Sequence, residues 1–263
     1  MTNIQWTDCT DNIITVENGG WWGRKISAGC LNCYAANLNQ NSFFGGNKLK
    51  YSGEPPQLIL KRDILKSWAR QTRPKRHFVA SMTDVFGEWV DQDWQFEFLD
   101  AMRLAPNQTF QLLTKRPEDM VNSCLGWMES RDLPRMPDNI WCGTSVENND
   151  AIHRIFTLCY LPAIRFISFE PLLEDIRIDV LARSFKRGAV SWAIIGGESG
   201  KNARPCHIGW VRSLALFMQE QRTKVFIKQL GTNCHPIKTV DKKGGNFDEF
   251  PDDLKIREFP DTN

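Results

Sequence analysis

Cys30 and Cys33 stand two residues apart in WWGRKISAGCLNCYA (21–35), the chain's one CxxC pair. Thiolates at this spacing suit half of a zinc site, a redox couple or part of an iron–sulfur ligand set. Two thiolates do not close a tetrahedral site, and no second CxxC completes a zinc ribbon. Among the remaining cysteines, Cys142 and Cys159 fall in apolar strand and helix patterns, and Cys124, Cys206 and Cys234 are isolated. Core packing is their default reading. His77, His153, His207 and His235 show no metal-ligand spacing with one another and read as structural or surface residues. No GxSxG, HExxH or P-loop pattern occurs.

A second set of reactive side chains recurs at the ends of short apolar runs. HFVASM (77–82) leads into Ser81, Thr83 and Asp84. TFQLLTK (109–115) ends in Thr114 and Lys115, IWCGTSV (140–146) in Thr144, Ser145 and Glu147, and IRFISFE (164–170) in Ser168 and Glu170. WAIIGG (192–197) ends in Gly196 and Gly197 with Glu198 next, and VFIKQL (225–230) carries Lys228 and Gln229. Any one of these has a structural explanation, such as a cap or a turn. Their repetition after every run predicts a polar pocket at one end of a sheet. Asp84 and Glu198 suit an ammonium group or hydroxyls, and Lys115 suits a carboxylate, so the pocket fits a zwitterion and a ribose. Gly196-Gly197 lets a ligand approach the backbone or serves as a tight turn.

The runs recur about every 30 residues, the length of a strand–helix unit, and are apolar throughout, as strands buried on both faces are. Between them, residues 91–105, 116–130, 148–162 and 207–222 carry apolar residues at helical spacing; Pro117 opens one helix and Pro162 stops another. The class predicted is α/β: a full or partial (β/α) barrel of about six or more parallel strands. A doubly wound open parallel sheet is the alternative, weakened by the lack of a glycine-rich dinucleotide fingerprint. In a barrel, the working face lies at the C-terminal ends of the strands. The predicted organisation is one barrel domain over 1–231, with an N-terminal cysteine loop, and a surface extension over 232–263.

The 263 residues allow a full core, and a net charge of +2 is too small to argue for nucleic acid by itself. Local basic groups occur at Arg73, Lys75 and Arg76, at Arg183, Lys186 and Arg187, and at Lys242 and Lys243. No apolar run approaches a membrane span, and MTNIQWTDCTDN lacks the layout of a signal peptide. The expectation is a cytoplasmic protein without membrane contact, whose eight cysteines are reduced thiols or metal ligands.

Eight blocks in order, IQWTD (4–8), KISAGCLNCYA (25–35), VASMTDVFGEWV (79–90), FQLLTKRPEDM (110–120), WCGTSVEN (141–148), FISFEPLL (166–173), IIGGESG (194–200) and FIKQLG (226–231), resemble the phage-associated three-cysteine-motif family. That family is a domain of unknown function related to radical-SAM enzymes and similar in layout to spore photoproduct lyase. The resemblance implies a (β/α) barrel with a [4Fe-4S] cluster on three thiolates, whose open iron chelates S-adenosylmethionine and yields a deoxyadenosyl radical. It puts Ser81, Thr83 and Asp84 near the amino group of that cofactor and Thr114, Lys115, Ser145 and Glu170 further round the pocket. Tyr34 is placed beside the cluster or the adenine, or in an ordinary core role.

One position departs from the pattern. The family's first cysteine lies seven residues before the CxxC pair, and that position is Gly23. Three readings follow: Cys9 supplies the third thiolate across a closable loop, the site has lost its cluster, or Gly23 is a variant of an active parent. The expected functions are a radical-SAM-like enzyme acting on nucleic acid or another macromolecule, or a cluster-deficient barrel serving as a phage-associated binding protein. The resemblance also implies a dedicated partner protein encoded nearby. Nucleic acid rests on the lyase-like layout and on Arg73, Lys75 and Arg76, which could neutralise phosphates.

Overall fold

The structure is a computed structural model describing residues 4–261; the outermost residues of both expected segments, 1–3 and 262–263, lie outside them. Contacts divide the chain into two compact units, 1–142 with 161–163, and 143–160 with 164–263.

The first unit holds β1 (Cys9–Asp11), β2 (Ile14–Val16), α1 (Tyr34–Asn39), β3 (Leu58–Leu60), α2 (Arg62–Trp68), β4 (Arg76–Val79), α3 (Gln92–Arg103), β5 (Thr109–Thr114), α4 (Pro117–Ser130) and the first half of β6 (Ile140–Ser145). α3 buries Phe98, Leu99 and Met102, the stripe its periodicity predicts. α4 starts with Pro117 in its first turn, where the missing N–H costs nothing, and Glu118 and Asp119 complement the positive end of its dipole. β1 pairs parallel with β4, and β4 with β5.

The second unit holds the rest of β6, then α5 (His153–Leu158), β7 (Ile164–Phe169), α6 (Ile178–Ser184), β8 (Trp192–Gly196), β9 (Cys206–His207), α7 (Ile208–Glu220), β10 (Lys224–Gln229) and β11 (Cys234–His235). β7, β8 and β10 are parallel neighbours. Among the described residues, seven strands form one sheet in the order β1-β4-β5-β6-β7-β8-β10. Each of the six predicted apolar runs is one of these strands, and the fold class is the α/β partial barrel. The seventh, β1, was not predicted: CTD is three residues long and has no apolar body.

Residues 232–263, expected as a surface extension, contribute to the core of the second unit. Phe250 and Leu254 are buried in it. Residues 256–258 run antiparallel along β10: Ile227 N–H donates to Ile256 O (2.9 Å) and Glu258 N–H to Val225 O (2.9 Å). No helix among the described residues is long and apolar enough to cross a membrane.

β9 and β11 pair in parallel, so Cys206 meets Cys234 and His207 meets His235, with imidazole centroids 5.7 Å apart. Burial, and then the neighbouring Cys234, push the Cys206 thiol up to about 12; burial pushes Cys234 up to about 11 against the pull of Arg212. At mildly alkaline pH iodoacetamide should therefore label these two cysteines only after unfolding, as peptide mass spectrometry would show; rapid labelling of the folded chain would contradict the packing.

Candidate functional site

The site in the first unit is built where β4 ends. Ala80 takes a left-handed backbone (φ +58°), a conformation that costs a non-glycine residue about 1–2 kcal/mol and stops the strand short of the predicted Ser81. The chain then turns through Ser81, Met82 and Thr83 to Asp84. Asn12, just after β1, holds this turn through its Oδ1, which accepts from Met82 N–H (3.1 Å) and Ser81 Oγ–H (3.3 Å).

Three segments of the cysteine region dock on three successive residues of that turn. Tyr34 Oη–H donates to Ser81 O (2.6 Å), Tyr51 Oη–H donates to Met82 O (2.7 Å), and Thr83 Oγ1–H donates to Trp22 O (2.9 Å). Cys30 closes a short 3-10 turn and is buried; Cys33, at the start of α1, is half-buried and packs with Ala35, Ala36, Tyr51 and Met82. Burial alone would raise the Cys30 thiol. The Lys115 ammonium, a backbone hydrogen bond at Ile26 and the contacts of Ser27 together outweigh it and hold that thiol below its ordinary value. Burial, and then the nearby Cys33 and Tyr34, push the Tyr51 phenol up, so it remains a donor. A Cβ added at Gly23 would meet the Tyr51 ring at 3.2 and 3.3 Å.

Asp84 ties the ends of β4 and β5 together. Its Oδ1 accepts from Phe86 N–H (3.1 Å), and both its oxygens lie 2.8 Å from the Thr114 hydroxyl. Its Oδ2 also accepts from Lys115 N–H (3.2 Å) and Arg116 Nη1–H (3.3 Å). The carboxylate expected to receive an ammonium group is thus occupied in organising the turn that presents Lys115. Arg116 lies over the Trp89 ring (4.5 Å to its centroid). Arg24, ion-paired with Glu88, lies 5.8 Å from the centroids of both Trp22 and Trp89. This cation–aromatic group was missed at the sequence level; the signal was WWGR followed by GEW and KRP in the matched blocks.

Ser145, Glu170, Gly196, Gly197 and Glu198 belong to the second unit, at the ends of β6, β7 and β8. Glu170 pairs with Lys228 (2.5 Å), and a Cβ at Gly196 would come within 3.3 Å of Glu170 Oε1. At Gly197 a Cβ would sit 2.2 Å from Leu230 O, so the glycine serves close backbone approach. Glu198 is gripped by Arg204 through its backbone N–H (2.8 Å), Nε (2.9 Å) and Nη2 (2.5 Å). Glu147, wholly buried, pairs with Arg154 Nη1 (2.9 Å), which also donates to Ser145 O (2.9 Å).

Cys9 lies elsewhere in the first unit. Its Sγ is 3.2 Å from His77 Nδ1, which is 2.7 Å from Asp11 Oδ2, and the three side chains form a cluster compatible with metal binding. His77 is the second residue of β4, whereas the CxxC loop docks beyond the other end of that strand. Arg76 is held by Asp8 through Nε and Nη2, and with Arg73 and Lys75 stands at the start of β4.

An α/β partial barrel with a CxxC loop seated on its strand ends is the class defined by this fold and site. The chain belongs to the family described as protein of unknown function (DUF5131), whose model matches residues 1–251. Comparisons with curated proteins and with solved structures give no match.

Proposed function

We propose that this chain is an iron–sulfur protein of the radical-SAM-like kind, with Cys30 and Cys33 as the thiolates that hold the cluster. The observation that carries the reading is the seating of the CxxC loop on residues 81–83, with Cys30 acidified beside Lys115. Ligation by iron requires the thiolate, and a thiol drawn below its ordinary value gives up its proton more readily. The donors fit two of the three thiolate positions; the third is Gly23, and Cys9 is engaged with His77 and Asp11. Bound there, a [4Fe-4S] cluster with S-adenosylmethionine would supply one-electron chemistry and a hydrogen-abstracting radical. The protein's own contribution would be the polar strand ends, with Lys115 for the cofactor carboxylate and Ser81 and Thr114 beside it.

Gly23, with the Tyr51 ring against it, favours a second reading: a cluster-free barrel acting as a phage-associated binding protein, with a partner protein encoded nearby. Anaerobic reconstitution with iron and sulfide separates the two. Uptake by the unaltered chain supports the first. Uptake only after Gly23→Cys supports the second, and no uptake by either removes the iron–sulfur proposal.

For a nucleic-acid substrate, Arg24 and Arg116 beside the half-buried Trp89 offer cations and an aromatic edge near the CxxC loop. Arg73 and Lys75 lie at the other end of β4. Arg24→Glu should weaken single-stranded DNA binding and flatten its salt dependence by about one unit of slope, and Lys75→Glu should do less. Equal affinities for the two variants and the parent would remove nucleic acid from the proposal.

A further inference from the structure

The geometry points to a second metal site in the first unit, one that takes a single zinc-like divalent ion through Cys9 Sγ, an Asp11 carboxylate oxygen and His77 Nδ1. β1 pairs with β4 so that Cys9 stands beside His77. Strand alternation puts Cys9 and Asp11 on one side of β1. The three ligand atoms lie within 4.8 Å of one another, with 3.2 Å from sulfur to nitrogen and 2.7 Å from nitrogen to oxygen. Ligands of a tetrahedral zinc at bond lengths of about 2.0–2.3 Å stand roughly 3.3–3.6 Å apart, so small side-chain shifts suffice.

The outer contacts turn the right atoms inward. Gln108 donates both amide hydrogens to backbone carbonyls, Gln71 O and Arg73 O, each at 3.1 Å. Its Oε1 is therefore the atom that faces His77 Nε2, at 3.1 Å, and it can only accept. Nε2 must carry a proton, and Nδ1 is left as the nitrogen directed at Cys9 and Asp11. A ligating histidine whose other N–H is fixed by a neutral acceptor is the usual outer arrangement of zinc sites. Trp68 Nε1–H donates to Asp11 Oδ2 at 2.7 Å, the oxygen that lies beside His77 Nδ1, and so holds that carboxylate in place. The imidazole is buried and stacked on Phe110 (centroids 5.3 Å apart), so its direction is set before any ion arrives. Cys9 and Asp11 are half-buried on an edge strand, which gives the ion a path in and leaves a fourth position for water. A sulfur, nitrogen and oxygen donor set suits zinc or cobalt better than magnesium or calcium. Without an ion the same atoms are held by a proton between Asp11 and His77.

The test uses the full chain carrying Cys30→Ser and Cys33→Ser, which removes the CxxC thiols and makes the result independent of the iron–sulfur proposal. After chelation, this variant should bind one Co²⁺ with a thiolate-to-cobalt absorption band that Zn²⁺ bleaches. Adding Cys9→Ser should abolish the band. Should that triple variant fail to fold, alkylation of Cys9 in the double variant decides, with Zn²⁺ expected to slow it by about tenfold. No thiolate–cobalt band in the double variant, a band that survives Cys9→Ser, or Cys9 alkylation unchanged by Zn²⁺ would overturn the site.

Discussion

Replacing Cys30 with serine should bring iron and sulfide uptake on anaerobic reconstitution down to background, with loss of the visible charge-transfer band. Ligation requires the thiolate, and a serine hydroxyl does not ionise near neutral pH. Cys33→Ser should behave alike, whereas Cys9→Ser should retain the parent's uptake because Cys9 faces His77 and Asp11. Lys115→Met offers a graded version. It keeps much of the stem's packing but removes the charge that draws Cys30 below its ordinary value. The Cys30 thiol should then titrate higher, and cluster assembly should become slower and more dependent on alkaline pH. Retention of full iron uptake by Cys30→Ser would separate the CxxC loop from any cluster in this protein.

The largest loss of stability is expected at Glu147. Its carboxylate is wholly buried and faces Arg154, itself 6 % exposed. Removing one partner strands a charge in a medium that solvates it poorly, which costs about 3–5 kcal/mol. Glu147→Ala should therefore lower the thermal midpoint by roughly 10 °C. Glu147→Gln should cost less, because its amide oxygen can still accept from Arg154. Pairing Glu147→Met with Arg154→Met should recover part of the loss, as apolar replacements of buried pairs do, although Ser145 O then loses the Arg154 hydrogen bond. A midpoint unchanged in Glu147→Ala would mean that the pair is hydrated in solution.

What could be read in advance followed from local pattern. The run IWCGTS is buried at every position, as a strand covered on both faces must be, and nothing beyond its own residues was needed to predict that. Pro117 and the acidic residues after it marked the start of α4 in the same way. The strand ends were correctly predicted to carry polar side chains, but their partners were hidden. Asp84 looks like a free anion in sequence because Thr114 and the Lys115 amide lie 30 and 31 residues away. β1 escaped notice because its placement beside β4 comes from pairing at a separation of 68 residues rather than from its own hydropathy. That pairing joins Cys9 to His77, and the pairing of β9 with β11 joins His207 to His235, where spacing along the chain indicated no relation.

The segment that runs along β10 has a consequence for solubility. An outermost strand with bare amides and carbonyls invites other chains to add on, molecule after molecule. Residues 256–258 occupy that margin, and Trp192 Nε1–H fastens them by donating to Glu258 O at 2.8 Å. Proteolytic clipping after Gly231 would therefore do more than shorten the polypeptide: it would uncover a template for filament-like self-association.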